Sequence, residues 1–185
     1  FFSIATFSGH LTSKYNAGEV WVIVNNYRNN DFSAYAYHSS DFGKTFTRIA
    51  DDSKVWGFTL SIKQDPTEPN LVFLGTEFGL YVSFDKAKTW NKWEHGYPKA
   101  VSTYDMTIQE READLVIGTF GRAIYVLDDI RPLRAFAKNG GKAPTVKSLP
   151  FLLLMPTKLK YSNHMANALW LLPSMLAKTE CLVVV

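Results

Sequence analysis

The chain repeats itself at a fixed interval. Tyr37, Tyr81 and Tyr125 stand 44 residues apart, and Asp41, Asp85 and Asp129 keep the same spacing. Between the second and third members the match widens. "LVFLGTEFGLYVSFD" at 71–85 lies over "LVIGTFGRAIYVLDD" at 115–129 with one gap, and "GFTLSIKQDPTEPN" at 57–70 lies over "VSTYDMTIQEREAD" at 101–114. A short unit recurring at such a period cannot bury its apolar surface alone and stacks on its neighbours.

Each unit reads as short strands. "FTLSIKQ" and "TYDMTIQ" alternate apolar and polar residues, as half-buried strands do. "LVFLG" and "LVIG" are apolar runs, "EFG" and "FG" are tight connections, and "LYVSF" and "AIYVL" form a third strand. "TFTRI" and "TWNKW" supply a fourth. Four short strands in 44 residues match the blade of a β-propeller. The expected fold is all-β: a partial β-propeller of about three four-stranded antiparallel blades, the last incomplete, with an irregular C-terminal tail. The propeller is expected over 1–134, with blades at about 1–50, 51–94 and 95–134. The segment 135–148 reads as a linker, and 149–185 as an atypical tail, disordered or out of frame. No helical periodicity is read before residue 134. A propeller ring typically takes roughly four to eight blades, so three need the rest of their own propeller to close it, and the chain reads as a piece of something longer.

The segments "SSDFGKTF" at 39–46 and "SFDKAKTW" at 83–90 join the third strand to the fourth in the first two units. Their shared skeleton is a turn. Asp41 and Asp85 are placed to accept backbone N–H bonds, Gly43 suits a left-handed residue, and Thr45 and Thr89 pin the next strand. Phe46 and Trp90 are expected to bury a ring between neighbouring sheets. A catalytic reading of the aspartates needs a partner carboxylate or proton relay, and none recurs with them.

The skeleton Ser39, Asp41, Gly43, Thr45, Phe46, with its second copy Ser83, Asp85, Thr89, Trp90, resembles the Asp-box, or BNR repeat. The first copy departs from that pattern in Phe46 and the second in Ala87. Over roughly 13–142, and most specifically in "GTFGRAIYVLDDIRPLR", the chain resembles the sortilin-like repeat propellers of large secreted bacterial proteins often labelled glycosyl hydrolase. The resemblance implies a secreted, periplasmic or cell-surface protein whose boxes are structural. It implies a non-catalytic binding or scaffold module for a protein, peptide or glycan. The alternative is part of a glycoside hydrolase, sialidase-like or other, with its catalytic residues mostly outside this chain. Sialidases bind a carboxylate with an arginine triad. None of Arg28, Arg48, Arg111, Arg122, Arg131 and Arg134 stands in that family's sequence context, so no catalytic residue is carried over.

Other chemistries find little support. The net charge of +3 arises after Lys142, where four lysines meet one acid, and the balanced remainder offers no field for nucleic acid. One cysteine allows no disulfide within the chain. "LPFLLLMP" is too short to span a bilayer, which takes about 20 apolar residues. His10, His38, His95 and His164 lack metal-ligand spacing, and Asp128 with Asp129 supplies too few oxygens for calcium. No metal and no cofactor is expected, and Arg122 beside Asp128 and Asp129 reads as a strand-end ion pair. The best binding candidate is the insertion in the first unit, "YRNNDFS", read as a protruding loop carrying Tyr27, Arg28, Asn29, Asn30, Asp31 and Phe32. Its aromatic, amide and guanidinium groups suit sugars and peptide backbones.

Overall fold

The computed structural model describes residues 6–142 and 182–184 of the chain, with side chains from Ser8 to Lys142. Its strands form three four-stranded antiparallel sheets. The first holds β1 (Thr6–Thr12), β2 (Val20–Asn26), β3 (Asp31–Ser39) and β4 (Thr47–Ala50) in that order. The second holds β5 (Thr59–Gln64), β6 (Val72–Thr76), β7 (Gly79–Ser83) and β8 (Asn91–Trp93). The third runs β9 (Thr103–Gln109), β10 (Asp114–Thr119), β11 (Ile124–Leu127) and β12 (Leu182–Val184). An eight-residue helix, α1 (Arg131–Lys138), follows β11. This is a partial β-propeller, with β1, β5 and β9 as the inner strands of adjoining blades.

The sheets pack face to face, and the burial pattern reports it. Every residue of β6 and of β7 is buried. One face of the second sheet, through Val72, Leu74 and Tyr81, joins Trp21 and Ile23 of the first. The other, through Phe73, Leu80 and Val82, joins Leu115 and Ile117 of the third. In β2 and β10 only alternate residues are buried, because one face of each outer blade meets no sheet among the described residues. The continuous apolar run of β6 thus records a strand covered on both sides.

Polar bonds fasten the blades at their seams. Thr59 Oγ1 donates to the Tyr35 carbonyl at 2.8 Å, and Trp90 Nε1 to the Ile49 carbonyl at 2.9 Å. The expectation for the two turn aromatics therefore holds for Trp90, which packs on the core between the first two sheets. It fails for Phe46, which is 50% exposed. Trp90 reaches back onto the preceding blade, and no described residue precedes the first blade in that position.

Two further expectations change. The chain after Asp129 is helical from Arg131, ahead of the expected linker. Pro132 lies in the first turn, where its missing N–H is no loss. Leu133 and Ala137 enter the core, Phe136 meets Phe84 edge-on at 4.7 Å, and Arg134 Nε grips buried Asp65 at 2.9 and 3.1 Å. The third sheet, expected to be incomplete, gains its outer strand from residues 182–184, paired Ile124↔Val184, Tyr125↔Val183 and Val126↔Leu182. The rest of the tail expected to be atypical lies outside the described residues.

The two turn aromatics should respond differently to truncation. Trp90→Ala is expected to cost about 2–3 kcal/mol, below the usual range for a fully buried tryptophan, and Phe46→Ala less than about 1 kcal/mol. Urea unfolding of both variants against the parent chain checks the difference.

Candidate functional site

The connections sort to two ends of the blades. At one end lie the turns between third and fourth strands. There Ser39 Oγ donates to Asp41 Oδ1 at 2.8 Å, the Thr45 amide to the same oxygen at 2.9 Å, and the Thr45 hydroxyl to Asp41 Oδ2 at 2.6 Å. The Gly43 amide donates to Ser39 Oγ at 3.0 Å. The second copy repeats the pattern. Ser83 Oγ and the Thr89 amide donate to Asp85 Oδ1 at 2.8 and 2.9 Å, the Thr89 hydroxyl to Oδ2 at 2.6 Å, and the Ala87 amide to Ser83 Oγ at 2.8 Å. Both turns place two consecutive residues at positive φ: Phe42 at 61° and Gly43 at 78°, Lys86 at 61° and Ala87 at 64°.

These carboxylates are spent on closing their own turns. The Thr45 hydroxyl, with the Thr45 amide and Ser39, brings Asp41 down to about 2. Burial works to raise Asp85, but the Thr89 hydroxyl and amide and Ser83 outweigh it, and the net shift is downward. At the same end buried Glu19 takes Lys86 Nζ and His38 Nε2, both at 2.7 Å, joining the first blade to the second turn.

The opposite end carries the aromatic residues. Here are the connections β2–β3, β6–β7 and β10–β11, and those leading from one blade to the next. A relay of bonds to backbone carbonyls ties those of the second and third blades: the Glu77 amide to the Phe58 carbonyl at 3.1 Å, Ser102 Oγ to the Glu77 carbonyl at 3.2 Å, and the Phe120 amide to the Ser102 carbonyl at 3.0 Å. On this frame Tyr27 stacks on Phe58 at 5.0 Å, Trp56 on Phe78 at 4.6 Å, and Tyr104 lies 6.4 Å from Phe120. Trp56 is 64% exposed, Tyr104 62% and Phe120 76%. Gly57, at φ +82°, brings Trp56 and Phe78 together: a Cβ there would stand 2.7 Å from the Phe78 ring. Lys92 Nζ lies 5.7 Å from the centre of the Trp56 ring.

A cavity of about 740 Å³ opens beside this rim, against the inner strands. Tyr27, Arg28, Phe58, Tyr104 and Phe120 stand at it, and Asp105 is the one carboxylate among its lining residues. Near it, burial raises the Glu77 carboxyl.

The six residues of the expected loop divide. The loop itself is tighter than read: Tyr27–Asn29 form one 3₁₀ turn, Asn30 closes it at φ 60°, and Asp31 already pairs with Asn26 in the β2–β3 ladder. Asp31 accepts from Asn26 Nδ2, the Ser33 amide and Tyr35 Oη at 3.0–3.1 Å. Asn26 foremost, then the Ser33 amide, bring it to about 2. Asn29 Nδ2 donates to Asn26 Oδ1 at 2.6 Å. Those side chains build the turn. Tyr27, Arg28 and half-exposed Phe32 face the aromatic end, where Phe32 comes within 6.3 Å of Phe58. The ion pair at Asp129 is made by Arg131, whose Nε meets Oδ1 at 2.5 Å, and not by Arg122. Among the described residues no three His, Cys, Asp or Glu side chains converge as metal ligands, and no helix is long and apolar enough to cross a membrane. Sequence reasoning passed over Trp56, Phe58, Phe78, Tyr104 and Phe120. The available signal was "TEFG" and "GTFG", which put a phenylalanine in two equivalent tight turns, where a ring finds little cover.

No protein-family model and no curated protein matches the chain. Solved structures do. The GH74 enzyme of Niastella koreensis superposes with a TM-score of 0.54 at 19% identity, over 66% of this chain and 21% of the enzyme. The GH74 xyloglucanase of Xanthomonas campestris gives 0.55 at 17%, over 66% and 22%. A looser likeness, at 0.37 and 16% over 69% and 55%, is to YCF48 bound to D1 peptide. The chain spans about a fifth of the length of the GH74 enzymes. At these identities the likeness establishes the fold: three blades of a β-propeller.

Two outcomes follow from the turn geometry. Gly43→Ala is expected to cost about 1 kcal/mol, the usual penalty for a Cβ at positive φ. Ala87→Gly should change stability by less than about 1 kcal/mol, because relief of φ is offset by a lost buried methyl; chemical denaturation compares the pair. The acid response has a defined sign. Asp31 and Asp41 sit at about 2, below the ordinary aspartate value of about 3.9. Their contribution is complete above that value and disappears as pH falls toward 2. Melting temperature should be level from about pH 7 to 5 and drop between about 4 and 2, with a shallower drop in Asp41→Asn.

Proposed function

We propose that the chain is a non-catalytic recognition segment of a larger secreted propeller protein of the sortilin-like, Asp-box kind, located outside the cell, in the periplasm or at the cell surface. It binds an extended protein, peptide or glycan ligand across its aromatic end. The observation that supports this most is the exposed rim of Tyr27, Tyr104 and Phe120 around a cavity with a single lining carboxylate. Rings held on a fixed backbone frame bind a sugar face or an apolar side chain at little entropic cost. The Arg28 guanidinium supplies hydrogen bonds at the edge of the same surface. Hydrolysis of a glycoside takes a pair of carboxyl groups about 5–10 Å apart, which the lining does not provide.

A second reading has its own observation. The Glu77 carboxyl is raised by burial at this end, the direction a general acid requires, and the superposed GH74 enzyme is a xyloglucanase. Under that reading the chain contributes part of a glycoside hydrolase site, and the remaining residues belong elsewhere in the protein.

Glycan and peptide arrays, followed by titration calorimetry and reducing-sugar assays on xyloglucan, separate the two. The binding reading expects a ligand held without turnover. Tyr27→Ala and Tyr104→Ala should each weaken it by about fivefold, corresponding to ~1 kcal/mol of lost stacking. Xyloglucan cleavage that vanishes in Glu77→Gln would establish the hydrolase reading instead. Binding indifferent to both aromatic variants would remove the site from this end.

A further inference from the structure

The first two blades make their outer strands in place, β3 running through its turn into β4 and β7 into β8. The third blade does not. After β11 the chain enters α1, and the outer position is taken by residues 182–184, arriving from far along the sequence. The two kinds of attachment differ physically. The entries to β4 and β8 are tied by the Asp41–Thr45 and Asp85–Thr89 bonds. Among the described residues no such turn ties β12, and its pairing closes a long loop, with the entropy cost such closure carries.

The acceptor strand, by contrast, is held by the fold. Tyr125 and Leu127 are buried in the core shared with the second blade, and β11 pairs with β10 along its whole length, from Ile124↔Gly118 to Leu127↔Leu115. Its outer edge therefore keeps its strand shape whether or not β12 is seated. On the face turned away from the second blade, half-exposed Ile124 and part-buried Val126 give an incoming strand apolar neighbours. A rigid edge with aligned main-chain donors and acceptors is the requirement for strand addition.

We infer that the outer edge of β11 is an acceptor for an extended apolar peptide, added antiparallel as the fourth strand of the third blade, and that residues 182–184 are an internal occupant which such a peptide displaces. The sequence of that occupant, Leu-Val-Val, states the class of ligand: short, aliphatic, with β-branched residues, and uncharged. This surface is separate from the aromatic end and does not depend on the function proposed for it.

The test uses the full chain and a fluorescent synthetic peptide carrying residues 179–185, with Ser in place of Cys181. Val183→Pro in the chain unseats the internal strand, since proline is not accommodated within a ladder. By fluorescence anisotropy the Val183→Pro chain should bind the peptide at least about tenfold more tightly than the parent chain, as expected when a competing intramolecular strand is removed. Hydrogen exchange at residues 124–127 should slow when the peptide is added. A peptide with proline in place of Val183 should not bind. Equal affinity for both chains, no binding to either, or protection appearing at the aromatic end instead of β11 would each overturn the inference.

Discussion

Burial of the second sheet on both faces is the constraint from which the remaining structure follows. β6 and β7 contribute side chains to two separate cores, one shared with Trp21 and Ile23 and the other with Leu115 and Ile117. Each large side chain removed from water there is worth roughly 1.5–3 kcal/mol, more than the roughly 0.5–1.5 kcal/mol net of any one hydrogen bond at the seams. Apolar contact thus holds the blades together, and the polar bonds fix their register. Thr59 and Trp90 each reach a carbonyl of the preceding blade and prevent one sheet from sliding over the next.

Face-to-face packing leaves only the two ends of each blade for loops, and the ends have divided their chemistry. At the turn end, side-chain oxygens are consumed in closing tight reversals, and α1 is pinned there by Arg134 on Asp65. At the other end the connections are fastened mainly through backbone atoms, Glu77 to Phe58 and Phe120 to Ser102. Rings on those connections are left at the surface because the backbone frame does not need them for its own closure. Rigidity of the frame with availability of the side chains is the combination that a binding surface requires.

Much of this was legible in the sequence. The 44-residue spacing carried the sheets, since period and strand alternation are local signals, and the turn residues from Ser39 to Thr45 carried their own hydrogen bonding. What could not be read depended on distant partners. Phe46 and Trp90 occupy equivalent positions, yet one is half exposed and the other packed, and only the presence of a preceding blade separates them. Pro132 reads as a strand breaker and is equally a helix starter; the choice rests on Leu133, Ala137 and Arg134 finding partners on the second and third blades. The insertion after Asn26 looked longer than it is because Asp31, with three side-chain bonds and a ladder partner, belongs to the strand.

The repeated aspartates pose a chemical question that the ends also answer. A carboxylate serving as acid must hold a proton near neutral pH, and one serving as nucleophile or base must have a free lone pair facing its substrate. Asp41 does not meet the first condition, since the Thr45 bonds hold it at about 2, and three of its acceptor sites are already taken, by Ser39 and the Thr45 amide on Oδ1 and by the Thr45 hydroxyl on Oδ2. Asp85 repeats those three bonds and accepts a further one from the Lys88 amide. Glu77 is the opposite case, a carboxyl that burial raises, and it lies at the far end of the blades beside the aromatic residues. The motif that recurs is thus the chemically quiet one. Its bonds close the reversals between third and fourth strands, at the end of the blades opposite Tyr27, Trp56, Tyr104 and Phe120.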